Sequence, residues 1–186
     1  MASLVRFGNA IAALGIALVL LAAFVMQFAL GELPCPLCSL QRVALVLCGF
    51  GFVLNLRFGV QPLHYGLSIL AALFGVAVAG RQVLLHIVPG TGAYGSALFG
   101  LHLYTWSLIL FAAVIAGIAV LMIMGGRPDH ERSDHQAAMR FRGFGRVAAR
   151  LLVAVTLANA LNSFALCGPV ECADDPSSYW IAKYLP

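Results

Sequence analysis

The sequence predicts an all-α membrane protein: a transmembrane helix bundle of four core spans plus a fifth, C-terminal span. Two observations carry this. Of 186 residues, 62% are hydrophobic and only 10% charged, and a soluble chain of this length cannot bury so much apolar surface. The apolar residues also run in stretches of about 18 or more, the length that a bilayer demands of a helix.

Taken in order, the spans fall at Asn9–Leu30, Ser39–Leu56, Leu63–Val88, Leu101–Met124 and Val147–Leu166. The first is too long for the apolar core of a signal peptide and is followed by further spans, so it reads as an uncleaved helix. Polar or Gly/Pro-rich joints separate the spans at Gly31–Cys38, Arg57–Pro62, Pro89–Gly100 and Gly125–Arg146. The segment Cys167–Pro186 is too polar to cross a membrane. The resulting division is a four-helix bundle over 1–126, a loop over 127–146, a fifth span over 147–166 and a tail over 167–186. No internal repeat or low-complexity stretch interrupts it.

The net charge of +4 does not point to nucleic acid, because the basic residues flank apolar segments and form no interleaved basic–aromatic face. They act as topology signals. With sides alternating along the chain, Arg6, Arg57, Arg127, Arg132, Arg140, Arg142, Arg146 and Arg150 share one side. Only Arg42, Lys183 and Arg81 belong to the other. The richer side is the cytoplasmic one, which places the N-terminus inside and the C-terminus outside. Cys35, Cys38, Cys167 and Cys172 then all lie on the outer, oxidising side, where disulfides persist.

The pair Cys35-Pro36-Leu37-Cys38 opens a span. Two thiols at that spacing can close a small, reducible disulfide, and the positive end of the helix dipole favours a thiolate there. The spacing alone leaves two other readings open: half of a zinc site shared with Cys167 and Cys172, or an inert structural bridge.

The surrounding run, Glu32-Leu33-Pro34-Cys35-Pro36-Leu37-Cys38-Ser39-Leu40-Gln41-Arg42, resembles the membrane disulfide-generating proteins of the DsbB family. In that family a C-x-x-C at the outer end of the second helix precedes a Gln/Glu-Arg pair. A weaker similarity lies at Gly100-Leu101-His102-Leu103-Tyr104-Thr105-Trp106, like the family's entry into the fourth span. The resemblance covers the first four spans. It implies Cys35 and Cys38 as catalytic cysteines, a quinone (ubiquinone or menaquinone) as cofactor with Arg42 in contact, and a DsbA-like thioredoxin-fold partner in the periplasm of a bacterial inner membrane.

Arg42 also has a reading of its own. One turn beyond Cys38, it sits where hydrocarbon meets headgroups and can donate to an embedded carbonyl; the simpler alternative is an anchoring, snorkelling arginine. Arg81 and His86, near the outer end of the third span, are candidates to flank the same pocket, against a plain interfacial polar cluster. His86 with His102 could ligate haem, but nothing in their spacing selects it.

Cys167-Gly168-Pro169-Val170-Glu171-Cys172 forms the second outer pair, across a Gly-Pro turn able to close a disulfide. It is expected to be catalytic as a relay, with a structural staple as the competitor. Typical family members carry this second pair between the third and fourth spans; here that joint is short, uncharged and cysteine-free. Glu171, Asp174 and Asp175 should raise the tail thiols' pKa values and make the pair a poorer leaving group. Cys48 reads as a small buried side chain, His130 and His135 as poor metal ligands, and Tyr179, Trp180 and Tyr184 as an interfacial anchor.

The functional expectation is a membrane oxidoreductase that oxidises extracytoplasmic protein thiols and passes the electrons to quinone. A metal-binding or metal-delivery protein using the outer cysteines, and a non-catalytic assembly subunit with structural disulfides, are the alternatives.

Overall fold

The computed structural model describes residues 2–88, 90, 92, 95–125, 142–170, 172, 173 and 176–184. Five long helices dominate: α1 (Ala2–Leu30), α2 (Pro36–Phe58), α3 (Pro62–His86), α4 (Leu103–Gly125) and α5 (Arg142–Cys167). Among the described residues, these five are long and apolar enough to cross a membrane. A 3-10 helix, Trp180–Tyr184, ends the described chain.

Local chemistry explains the boundaries. Helix α2 starts at Pro36, three residues before the apolar run suggests. Proline suits the first helical position, and the Cys35 sulfur caps the turn by accepting from the Cys38 backbone N–H at 3.1 Å. Pro62 starts α3 in the same way, behind an extended Gln61. Helix α4 begins at Leu103, not Leu101, because Leu101–His102 pairs antiparallel with Ala97–Leu98. This small hairpin turns through Phe99 and Gly100, both at positive φ, and leaves Phe99 88% exposed. The joint before α5 is narrower than expected, since α5 begins at Arg142. Residues 126–141, with His130 and His135, lie outside the described residues.

Helices α1 to α4 form the bundle: α2 packs on α1 and α3, and α4 on α3. Helix α5 stands outside it against α1 and α2, burying a stripe of Ala148, Leu152, Val155 and Asn159 at helical spacing. In lipid no hydrophobic force draws helices together, so close backbone approach and polar contacts do that work. The α2–α3 crossing shows it. A Cβ on Gly51 would lie 2.5 Å from the His64 carbonyl oxygen, too close for any side chain. One turn away the Ser68 hydroxyl donates to the Cys48 carbonyl at 2.9 Å, and the Cys48 thiol faces the Ser68 carbonyl at 3.5 Å. Cys48 is fully buried in this crossing.

A second polar cluster joins three helices at the end of the bundle opposite Cys35. Asn55 donates to Asn9 (2.9 Å), Asn9 donates to Tyr65 (2.7 Å), and the Asn55 oxygen takes the Gln61 N–H (3.0 Å) beside His64 Nδ1 (2.9 Å). Each buried polar group here is satisfied within the protein, which is what hydrocarbon requires.

Candidate active site

The Cys35–Cys38 pair is a disulfide across the first turn of α2, with a Cα separation of 5.0 Å. Cys35 is buried, at 6% exposure, while Cys38 is half-buried and lines a cavity. Behind the pair stands Gln82 of α3, 1% exposed. Its amide Nε2 lies 3.4 Å from the Cys35 sulfur and 3.6 Å from the Cys38 sulfur. Gln41 orients that amide by donating to Gln82 Oε1 at 2.6 Å. The sulfurs thus face an amide donor and a helix N-terminus, both suited to the negative charge that appears when the disulfide opens.

The cavity encloses about 350 Å³, within the range of small-molecule sites. Its walls come from α1, α2 and α4, with Gln82 at its back and the 32–34 segment and the hairpin over one end. Val19, Ala23, Leu45, Leu98, Leu103 and Leu110 make most of it apolar. The polar groups are few: Gln27, Glu32, Gln41, Arg42, Gln82 and Ser107. Val19 and Ala22 of α1 and Trp106 of α4 line it and are also exposed on the outside of the bundle. Exposed residues of α1 and α4 thus line the cavity, on apolar helix surface. The Ser96 hydroxyl bonds Glu32 and the Trp106 indole N–H donates to the Leu98 carbonyl at 2.9 Å, so the hairpin is tied to the 32–34 segment and to α4.

Arg42 is half-buried in this wall. Its Nη1 donates to Gln27 Oε1 at 2.8 Å and its Nη2 to the Ala23 carbonyl at 3.2 Å. The guanidinium carbon lies 5.5 Å from the Phe24 ring centre, a cation–π distance. The guanidinium fork has five N–H donors, so others are left to serve a ligand.

Arg81 and His86 are not brought into this cavity. Arg81 is exposed on the far face of α3, in a shallow groove with Val76, Gly80 and Leu84. Arg81 is the residue next to Gln82, so its side chain leaves a different side of the helix from the one that Gln82 turns to the site. His86 pairs through Nδ1 with the Gln82 carbonyl at 2.8 Å and stacks on Tyr104, which is sandwiched between His86 and His102 with centroids 5.3 Å from each. Tyr104 lines the cavity, so His86 touches the site only through another ring.

The tail pair, Cys167–Cys172, is also a disulfide, with a Cα separation of 4.7 Å. It closes at the end of α5, where Gly168, at φ 67°, donates its N–H to the Phe164 carbonyl at 2.7 Å and caps the helix. Trp180 folds back over this turn: a Cβ on Gly168 would lie 2.5 Å from its ring, and the ring meets Phe164 edge-on at 6.1 Å. Glu171, Asp174 and Asp175 lie outside the described residues. Tyr179, expected at the interface as an anchor, instead turns its hydroxyl inward to accept from Gln27 Nε2 at 2.8 Å.

Gln27, Gln82 and Asn162 were not among the expected site residues. The available signal was a lone amide within an apolar span, which is costly in lipid unless it faces a partner.

The family model for Disulfide bond formation protein DsbB matches residues 5–93, a stretch that includes Gln27, both cysteines of the first pair, Gln41, Arg42 and Gln82. Among curated proteins, "Disulfide bond formation protein B" of Chromohalobacter salexigens is 40% identical over 90 residues, covering 46% of this chain and 52% of the relative. Its namesake in Nitrosomonas eutropha is 40% identical over 100 residues, covering 49% and 62%. That of Pseudomonas syringae pv. tomato is 49% identical over 70 residues, covering 34% and 41%. The matches thus span roughly half the length of these relatives. No solved structure matches the chain significantly.

Proposed function

We propose, from the match of residues 5–93 to the DsbB family model, that the protein is a quinone-dependent, protein-disulfide-generating oxidoreductase of a bacterial inner membrane. One observation carries the reading: Cys38, of the bridged pair, and Arg42 line a single, largely apolar cavity.

The cavity fits a quinone, a flat apolar ring with carbonyl acceptors and a lipid-soluble tail. Arg42 would hold a carbonyl oxygen, with Leu45, Leu103 and Leu110 against the ring and the α1–α4 side as the way in. When bound, a quinone supplies an acceptor for two electrons and two protons, so that the Cys35–Cys38 dithiol can return to a disulfide.

The remaining steps are thiol exchange within the protein. A thiolate of a reduced DsbA-like, thioredoxin-fold partner attacks one sulfur of Cys167–Cys172. The mixed disulfide is resolved by the partner's second thiolate, leaving the partner oxidised and the tail pair as a dithiol. A tail thiolate then attacks Cys35–Cys38, and resolution restores the tail bridge. Each exchange breaks one S–S bond and forms another, so two electrons move inward each time. The Gln82 amide and the N-terminus of α2 stabilise the thiolate released at the first pair. Cys35 is buried and Cys38 faces the cavity; Cys167 and Cys172, half-buried like Cys38, flank the exposed Pro169 and Val170, a turn that a folded partner would meet first.

Purified protein should reduce a short-chain ubiquinone when supplied with a reduced thioredoxin-fold partner. Arg42→Ala should raise the apparent KM for quinone roughly ten- to hundredfold, the loss of a charge-assisted hydrogen bond of about 1.5–3 kcal/mol. Lysine at this position should rescue only partly, since it lacks the planar fork. No quinone reduction by the wild type, or an unchanged KM in Arg42→Ala, would remove the quinone from this cavity.

The same reading requires an inside N-terminus and an outside C-terminus. Impermeant thiol reagents applied to reduced, intact cells should label single-cysteine variants at Cys35 and Cys167 from the same, outer side. Labelling from opposite sides would sink both the topology and the exchange between the pairs.

A further inference from the structure

Helix α5 and the tail lie beyond the matched residues, yet they reach Arg42 in the cavity wall through one buried amide. Gln27, 2% exposed, is held at both ends. Its Oε1 takes Arg42 Nη1 at 2.8 Å and Asn162 Nδ2 at 3.3 Å. Its Nε2 donates to Asn162 Oδ1 at 3.0 Å and to the Tyr179 hydroxyl at 2.8 Å, and that hydroxyl lies 3.4 Å from Asn162 Oδ1. A glutamine amide can present either end, and only its oxygen can receive a guanidinium. Arg42, which can only donate, selects the oxygen end, and Asn162 and Tyr179 take up the NH2 group and hold the amide in that place. With neither in place, the NH2 group loses these partners and the amide oxygen is no longer held against the cation.

We propose that Asn162 of α5 and Tyr179 of the tail are positioning residues that fix the Gln27 amide and, through it, the guanidinium of Arg42 in the wall of the ligand cavity. The C-terminal helix and tail are thereby part of the ligand site, adding to the hold that Ala23 and Phe24 of α1 have on this cation. This rests on the quinone reading of the cavity. Neither residue touches the cavity, so their effect belongs to ligand affinity, with little change in the rate of thiol exchange.

The test uses the full-length protein, with dithiothreitol as electron donor and a short-chain ubiquinone as acceptor. Tyr179→Phe removes one oxygen and should raise the KM for quinone about three- to tenfold, with kcat within about twofold. Asn162→Leu should act in the same direction; if it does not accumulate, Tyr179→Phe reads the same quantity. In an Arg42→Ala background Tyr179→Phe should add nothing to KM, whereas a merely structural role would lower thermal stability and activity in both backgrounds. If Arg42→Ala raises KM while Tyr179→Phe leaves it at the wild-type value, or if the two effects multiply, the positioning role is wrong and the quinone reading stands. If Arg42→Ala itself leaves KM unchanged, the quinone reading falls and takes this inference with it.

Discussion

Serine in place of Cys38 or Cys35 is expected to bring quinone reduction down to the level of buffer, whether the electrons come from a protein partner or from dithiothreitol. The reason is chemical. Two electrons leave the protein only if two sulfurs can pass from dithiol to disulfide, and a hydroxyl cannot form that bond. The two positions differ in surroundings but not in outcome. Cys38 faces the cavity beside Arg42, while Cys35 is buried as the cap of α2, with its sulfur held by the Cys38 N–H and the Gln82 amide. Fold loss is a weak alternative explanation, because a bridge closing so short a loop contributes at most about 3 kcal/mol. Cys48→Ser is the control: that thiol is buried in the α2–α3 crossing against the Ser68 carbonyl, and its variant should keep turning over. Activity clearly above buffer in Cys38→Ser with dithiothreitol would remove the first pair from the electron path.

The reading from sequence reached part of this site because that part is local. Cys35, Cys38, Gln41 and Arg42 lie within eight consecutive residues, so about two turns of helix bring them together whatever the rest of the chain does. The spans were legible for a similar reason, since their length and apolarity follow from the bilayer. Helix rotation was not legible. A span faces lipid on one side and apolar neighbours on the other, so hydrophobic periodicity does not say which face turns inward. This is why Arg81, a candidate from sequence to flank the pocket, lies outside the cavity, while the adjacent Gln82 lines it. The hairpin over the cavity escaped for another reason. The two-residue strands Ala97–Leu98 and Leu101–His102 are too short for alternation to register, and Phe99 adopts the left-handed conformation that glycine and asparagine usually signal. Tyr179 was read by residue type as an interfacial ring; its role depends on the tail folding back across α5, a long-range contact with no local signature.

Replacing both tail cysteines, as Cys167→Ser/Cys172→Ser, should block quinone reduction by the thioredoxin-fold partner and leave reduction by dithiothreitol near the wild-type rate. A small thiol can enter the cavity and meet Cys38 there, whereas a folded partner needs a turn that it can dock on, and the exposed Pro169 and Val170 between the half-buried tail cysteines supply one. A purely structural staple predicts a different pattern. Its removal would loosen the turn at Gly168 and the Trp180 contact, lowering stability by at most about 3 kcal/mol and affecting both donors alike. Loosening the tail also frees Tyr179, so some rise in quinone KM is expected with either donor if Tyr179 positions Arg42. The comparison is therefore made at saturating quinone, where that effect vanishes and only the route of electron entry is read. A ratio of partner-driven to dithiothreitol-driven turnover that falls at least tenfold in the double variant supports the relay. An unchanged ratio would show that Cys35–Cys38 meets its protein substrate directly, and that the tail bridge serves only to hold the C-terminal turn in place.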